Sequence, residues 1–401
     1  MALTALLLYV SGLAVHSYVQ AVTFDYGFDA DRVLLFTPPP WARPGMTTHE
    51  DVAAFAEHKR KVEASIESLR GAPGIVSAST FFWGPLGLGI SRTPHFVPGA
   101  ELIREFDGRG VDVQARGNAV GVDFVRTLGA TIIAGHDFDD PECAGQDNIA
   151  LVNETLARRL APGIGGNGPE LWPSVVGRKI RTRNSRGQIV GVEIVGVVRD
   201  LVETTPAVTA GPQYFMPDRT ASVAVGMAIR ASPSTEAALP AVRVALERVW
   251  GPLRSRQFGP MRDDLERVLV PYRAQSVLLS LIAAFCLPIA AIGLLGGLTY
   301  SVRVRTREMA IRIAIGADPC DVRRSVVRRA LGIVAAGIVL GTSVGALIGS
   351  VIARQLLNVH AADLPTMVSV SAGLLAVGWL ASVIPARHAS RIEPATALRQ
   401  E

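Results

Sequence analysis

Residues Ser301–Ala330, SVRVRTREMAIRIAIGADPCDVRRSVVRRA, place eight arginines between two of the most apolar segments of the chain. They are Arg303, Arg305, Arg307, Arg312, Arg323, Arg324, Arg328 and Arg329, opposed only by Glu308, Asp318 and Asp321. Such a block beside apolar sequence is where a membrane-topology signal belongs.

The flanking sequence supports that reading. Hydrophobic residues make up 49% of the 401-residue chain and mean hydropathy is +0.31. The excess is concentrated in residues 3–22, 276–300, 331–353 and 367–386. Each block has about 20 residues, enough helix to cross a hydrocarbon core of about 30 Å. The connection 354–366 carries only Arg354 and Asp363, whereas the tail carries Arg387, Arg391 and Arg399. The arginine-rich loop and the tail are therefore expected in the cytoplasm, and the large segment 24–270 outside. The first block has no basic leader and no small-residue cleavage site, so it reads as a span and not as a cleaved signal. The fold class expected is an α-helical membrane protein with four transmembrane helices plus an α+β extracytoplasmic domain.

Several function classes drop out. The net charge of +5 is explained by arginines next to the apolar blocks, so no nucleic-acid partner is expected. Three scattered cysteines, Cys143, Cys286 and Cys320, form no framework and no metal-ligand spacing. The three C-terminal blocks contain no charged residue, which argues against ion coupling inside the membrane. They carry small residues instead: Gly337, Gly341, Gly345 and Gly349 recur every four residues, and Gly293 and Gly297 repeat the spacing. Such a stripe serves close helix packing, within one chain or in a dimer. Pro288 interrupts the second span, where a kink is expected.

Between the first two spans, helical spacing is expected over 50–70 and 234–250, and strands over 74–80, 192–200 and 223–231. Residues 149–160 read as a strand entering a helix, and 161–189 as loop and hairpin. The sequence contains no phosphate loop, no H-E-x-x-H and no G-x-S-x-G. The acidic stretch GHDFDDPEC, Gly135–Cys143, reads as a solvated turn and not as a metal site. No catalytic, cofactor or metal residue is assigned, and the chain is not expected to be an enzyme.

Within the opening stretch, a short helix from Thr306 would carry Met309, Ile311, Ile313 and Ile315, with Glu308 and Arg312 at i, i+4 and Gly316 as its stop. Asp318 then suits an N-cap and Pro319 the first position of a helix that enters the third span. The amphipathic piece suits either anchoring to membrane lipids or docking to a cytoplasmic partner.

Tyr300–Val322, YSVRVRTREMAIRIAIGADPCDV, resembles the most characteristic segment of the FtsX-like permease family, the membrane subunits of ABC systems related to the MacB macrolide exporter and the lipoprotein-release permeases. The tail IPARHASRIEPATALRQE, Ile384–Glu401, is similar to that family's closing motif, with Glu393-Pro394 where Asp-Pro is more usual. DYGFDADRVL, LRGAPGIVSAS, AGHDFDD, IALVNETLARRL and VEIVGVVRDL follow in the order of a MacB-like periplasmic core domain. The resemblance implies a domain plan of residues 1–23 as the first span, 24–272 as the periplasmic core with porter-like α/β subdomains, and 273–401 as the permease domain. It implies that Thr306, Arg307, Glu308, Met309, Ile311, Arg312, Ile315 and Gly316 form a coupling helix against a cytoplasmic ABC ATPase, the subunit that binds ATP. It further implies a second permease half, as homodimer or paired module, in the bacterial inner membrane, with motion transmitted to the periplasmic domain for export or mechanotransmission. An ATP-independent scaffold or sensor that recruits an envelope protein is the alternative. The start of the chain resembles the second half of duplicated orphan permeases, so a split or truncated half is expected.

Overall fold

The computed structural model of the chain describes residues 1–39, 48–82, 101–106, 108–160, 171–183, 189–202, 211–219, 225–254, 257–305, 318–352 and 363–389. Two compact units are present: Asp25–Val268, and Met1–Phe24 together with Leu269–Glu401. In chain order the elements begin α1 (Ala2–Thr23), β1 (Val33–Phe36), α2 (Thr48–Arg70), β2 (Ile75–Phe81), β3 (Glu101–Phe106), β4 (Arg109–Val120) and α3 (Phe124–Leu128). Next come β5 (Ile132–Gly135), β6 (Ile149–Asn153), α4 (Glu154–Leu160), α5 (Leu171–Val175), β7 (Lys179–Arg183), β8 (Ile189–Val198) and β9 (Gln213–Pro217). The chain continues through β10 (Gly226–Ala231), α6 (Thr235–Trp250), β11 (Phe258–Pro260), α7 (Met261–Val304), α8 (Pro319–Ile352) and α9 (Leu364–Ala389).

The first unit is an α+β domain, as its sequence pattern requires. Its first and last portions interleave as β11-β1-β10-β2, two split β-α-β units built from β1-α2-β2 and β10-α6-β11. Helix α2 folds because Val62, Ile66 and Leu69 share one face; Val62 and Leu69 are fully buried against Leu34, Phe36, Met227 and Ile229. Helix α6 is capped by Ser234, whose Oγ accepts the Ala237 N–H, and it presents Val242, Ala245 and Leu246 to the same core. Trp250 closes the layer by donating its indole N–H to Ser65 Oγ at 2.7 Å.

A second subdomain is inserted between β2 and β10. Its strands run β4-β3-β7-β8-β6-β9, and a parallel pairing of β9 with β4 closes the ring. Ile103, Phe106, Val152, Leu156, Trp172 and Ile194 fill its core. Within 161–189, which reads in sequence as loop and hairpin, the described residues include a short helix as well as the β7–β8 hairpin. The five-residue helix α5 is too short to leave a periodic signal.

Among the described residues, four helices are long and apolar enough to cross a membrane. Three of them interlock through glycines. A Cβ on Gly337 would lie 2.6 Å from the Met1 Cβ, one on Gly341 2.5 Å from the Ala5 Cβ, and one on Gly345 2.6 Å from the Tyr9 ring, so α8 meets α1 along this stripe. Gly12 of α1 stands in the same relation to Thr366 of α9, and Gly378 of α9 to Val334 of α8. Lipid tails are as apolar as leucine, so close packing and hydrogen bonds hold such helices together. Gly349 lies one turn further along α8.

Helix α7 is held differently. Leu294 and Leu298 join Ala5, Ala330, Val334 and Leu374, and Ser280 Oγ lies 3.2 Å from Ser11 Oγ. A Cβ on Gly293, Gly296 or Gly297 would meet nothing within 4 Å. Leu278, Leu281, Phe285, Ile289 and Ile292 form one exposed stripe along it. The helix continues through both Pro271 and Pro288.

At the outer ends of the spans, Asp363 caps α9. Its Oδ2 accepts the Thr366 N–H at 3.3 Å and the Thr366 hydroxyl, and it lies 3.5 Å from His16 Nδ1 on α1. Gln20 Nε2 is 2.8 Å from His16 Nε2, so the ring is held between the two side chains.

Two substitutions separate these contacts. Gly341→Ala is expected to lower the thermal unfolding midpoint, because overpacking costs about 1–3 kcal/mol and outweighs a helix-propensity gain of about 1 kcal/mol. Gly297→Ala, in open space, should leave the midpoint unchanged or raise it. Asp363→Ala should destabilise by about 1–2 kcal/mol through loss of the cap, with Asp363→Asn losing less.

Candidate functional site

The eight residues expected to contact an ATPase, Thr306, Arg307, Glu308, Met309, Ile311, Arg312, Ile315 and Gly316, lie outside the described residues. The two ends of their loop are described. Helix α7 runs to Val304, and the Arg305 N–H bonds to the Val302 carbonyl at 3.1 Å. Helix α8 starts at Pro319, the residue that suits a first helical position. Arg303 and Arg305 on one side and Arg323, Arg324, Arg328 and Arg329 on the other are all exposed.

Helix α7 is anchored at its other end by features that sequence reading overlooked. Strand β11 pairs with β1 and passes directly into the helix. Met261 is fully buried beside Val33, Phe81 and Phe124. Arg262 Nη1 bonds to Asp31 Oδ1 at 2.5 Å, and Leu265 and Val268 pack on Tyr26 and Val202. The signal was present: Met261, Leu265, Val268, Leu269 and Tyr272 recur at helical spacing ahead of the apolar block. The uniformly apolar run starts only at Ser276, so the amphipathic first turns of the helix carry no span signal.

The acidic loop outside the membrane is a second candidate. Ligand atoms of His136, Asp140 and Glu142 all lie within 4.8 Å of one another at the surface. Both imidazole nitrogens already face carboxylates, Asp140 at 3.1 Å and Glu142 at 3.8 Å. Asp140 Oδ1 also accepts the Glu142 N–H, and Arg219 holds the loop by donating to the Cys143 carbonyl at 2.7 Å. These contacts tie the loop to itself and to Arg219. Three of its residues could reach one cation, but from an exposed position. Next to them, burial raises the Asp137 carboxyl from its ordinary value of 3.8 to about 6; the Phe138 N–H opposes the shift, and Asp139 and Asp123 add to it.

Residues 7–249 match the MacB-like periplasmic core domain, and residues 280–394 match the FtsX-like permease C-terminal domain. The chain is 28% identical over 304 residues to the macrolide export ATP-binding/permease protein MacB of Burkholderia thailandensis, covering 73% of this chain and 44% of that protein. It is 27% identical over 328 residues to a probable syringafactin export ATP-binding/permease protein, SyfD, of Pseudomonas syringae pv. tomato, covering 78% and 45%. The chain thus spans a little under half the length of these curated relatives. Among solved structures, the periplasmic region of MacB from Actinobacillus actinomycetemcomitans aligns with a TM-score of 0.37 at 10% identity, over 62% of this chain and 97% of that one.

Asp137 gives a prediction with a definite sign. Its folded-state value lies above the unfolded one, so the ionised carboxylate opposes folding. The penalty is full above about pH 6 and fades as pH falls from there toward 3.8. Asp137→Asn should raise the unfolding midpoint at neutral pH, and the gain should shrink to nothing near pH 4 in thermal scans across about pH 4–8.

Proposed function

This chain belongs to the family that combines a MacB-like periplasmic core domain with an FtsX-like permease C-terminal domain, and on that basis we propose that it transmits ATP-driven motion across the membrane. It is a multi-pass inner-membrane permease with an extracytoplasmic α+β domain. In the proposed system a separate cytoplasmic ABC ATPase docks on residues 306–317, and a second permease half completes the assembly. The exposed stripe Leu278, Leu281, Phe285, Ile289 and Ile292 on α7 is the apolar face we assign to that half.

One observation supports the reading most: the single helix Met261–Val304. It begins in the core of the extracytoplasmic domain and ends directly before the docking loop. The helix continues through Pro271 and Pro288, so the chain runs without a loop from the one segment to the other. Its 44 residues correspond to roughly 65 Å. Its weak hold on its neighbours favours movement: α1, α8 and α9 are interlocked at glycines, whereas α7 rests on side-chain contacts and one hydroxyl pair. The motion assigned to α7 is therefore a shift against a fixed three-helix block. Uncharged C-terminal spans agree with a lever and offer no route for a coupling ion.

The test is co-purification. The wild-type chain should retain an ATPase subunit from its native membranes, and Glu308→Lys or the triple Met309→Asp, Ile311→Asp, Ile315→Asp should release it while the membrane protein stays folded. Retention by both variants would exclude residues 306–317 as the contact. A wild-type chain that holds no ATPase and works without ATP would instead be the ATP-independent scaffold.

A further inference from the structure

We infer that the arginines at the two ends of the cytoplasmic loop form a binding surface for anionic phospholipid headgroups, independently of any ATPase. Arg303 and Arg305 end α7, and Arg323, Arg324, Arg328 and Arg329 open α8. Among the described residues, none of the six has a carboxylate partner. In the extracytoplasmic unit several arginines do have one: Arg230 with Asp29, Arg262 with Asp31, Arg199 with Asp25, Arg219 with Asp147. Among the described residues, the six guanidinium groups are exposed and gathered in two short segments at one end of α7 and α8.

Their setting identifies the ligand. Val326, Ala330 and Val334 turn the buried face of α8 toward the other spans. Arg324 and Arg328 stand one turn apart on the remaining surface, with Arg329 beside them. Ile333 follows one turn beyond Arg329 and is 48% exposed, a side chain suited to acyl contact. On α7, Tyr300 and Val304 are likewise exposed next to Arg303 and Arg305. Guanidinium groups one turn from lipid-facing side chains sit about 6 Å from the hydrocarbon edge, at headgroup depth. A guanidinium fork matches phosphate oxygens two at a time, and basic clusters just cytoplasmic of a span attract anionic lipid. Phosphatidylcholine carries the same phosphate with a compensating cation, so the preference should be for net-negative headgroups such as phosphatidylglycerol.

The full chain is reconstituted in nanodiscs of equal phosphatidylglycerol and phosphatidylcholine, then extracted in mild detergent, and the lipid that stays bound is quantified by mass spectrometry. The retained phosphatidylglycerol fraction should exceed the bilayer ratio by at least about threefold and fall as salt rises toward about 1 M. The triple variant Arg324→Gln, Arg328→Gln, Arg329→Gln should bring it close to the bilayer ratio, and lysines at the same positions should restore most of it. A wild-type ratio equal to that of the bilayer, or an enrichment unaffected by both salt and the glutamine variant, overturns the inference. So does loss of a co-purifying ATPase in the glutamine variant with no lipid preference in the wild type, which would assign these arginines to a protein partner. The salt series on the wild type decides the matter even where the variant fails to fold.

Discussion

The close approach of α1 to α8 at Gly337, Gly341 and Gly345 is the contact on which the membrane unit depends. In hydrocarbon, burying leucine against leucine gains little, so backbone proximity and satisfied polar groups decide which helices stay together. Three glycines at four-residue spacing let the Met1, Ala5 and Tyr9 side chains settle directly on the α8 surface. Gly12 and Gly378 repeat the device toward α9, and the Asp363–His16 pair pins the outer ends. The result is a block of three helices whose relative positions leave no slack.

That block gives α7 its character by contrast. Its own glycines face open space and its longest apolar stripe is exposed. At one end it is fixed, because Met261 is buried, β11 is paired and Arg262 bonds to Asp31. At the other it stops at the arginine-flanked loop. A helix held at its first turns and loosely held along its span suits the transmission proposed here.

Sequence reading found the four spans, the α+β class and the family, because each rests on a local signal: apolar runs, alternation, or a contiguous motif. The glycine stripe was visible too, although spacing alone left open whether it packs within the chain or against another; the structure sets three of its glycines against α1. Other features were illegible for physical reasons. The insertion of the β4–β9 ring between β2 and β10 is a matter of long-range pairing, which period-two alternation cannot specify. His16 and Asp363 are nearly the length of the chain apart, so neither announces the other. Helix α7 was read too short because its first turns are amphipathic and only its later turns are uniformly apolar.

The central claim is that α7 moves against a fixed block of α1, α8 and α9. Distances between paired spin labels test it most directly, with Cys143, Cys286 and Cys320 replaced by serine and the chain held in nanodiscs with its ATPase. One pair, Val19→Cys with Val344→Cys, reports α1 against α8; the other, Ile289→Cys with Val339→Cys, reports α7 against α8. On addition of ATP the first distance should stay constant and the second should shift by at least about 2 Å. A fixed α7 distance, or an equal change in both pairs, would contradict the account.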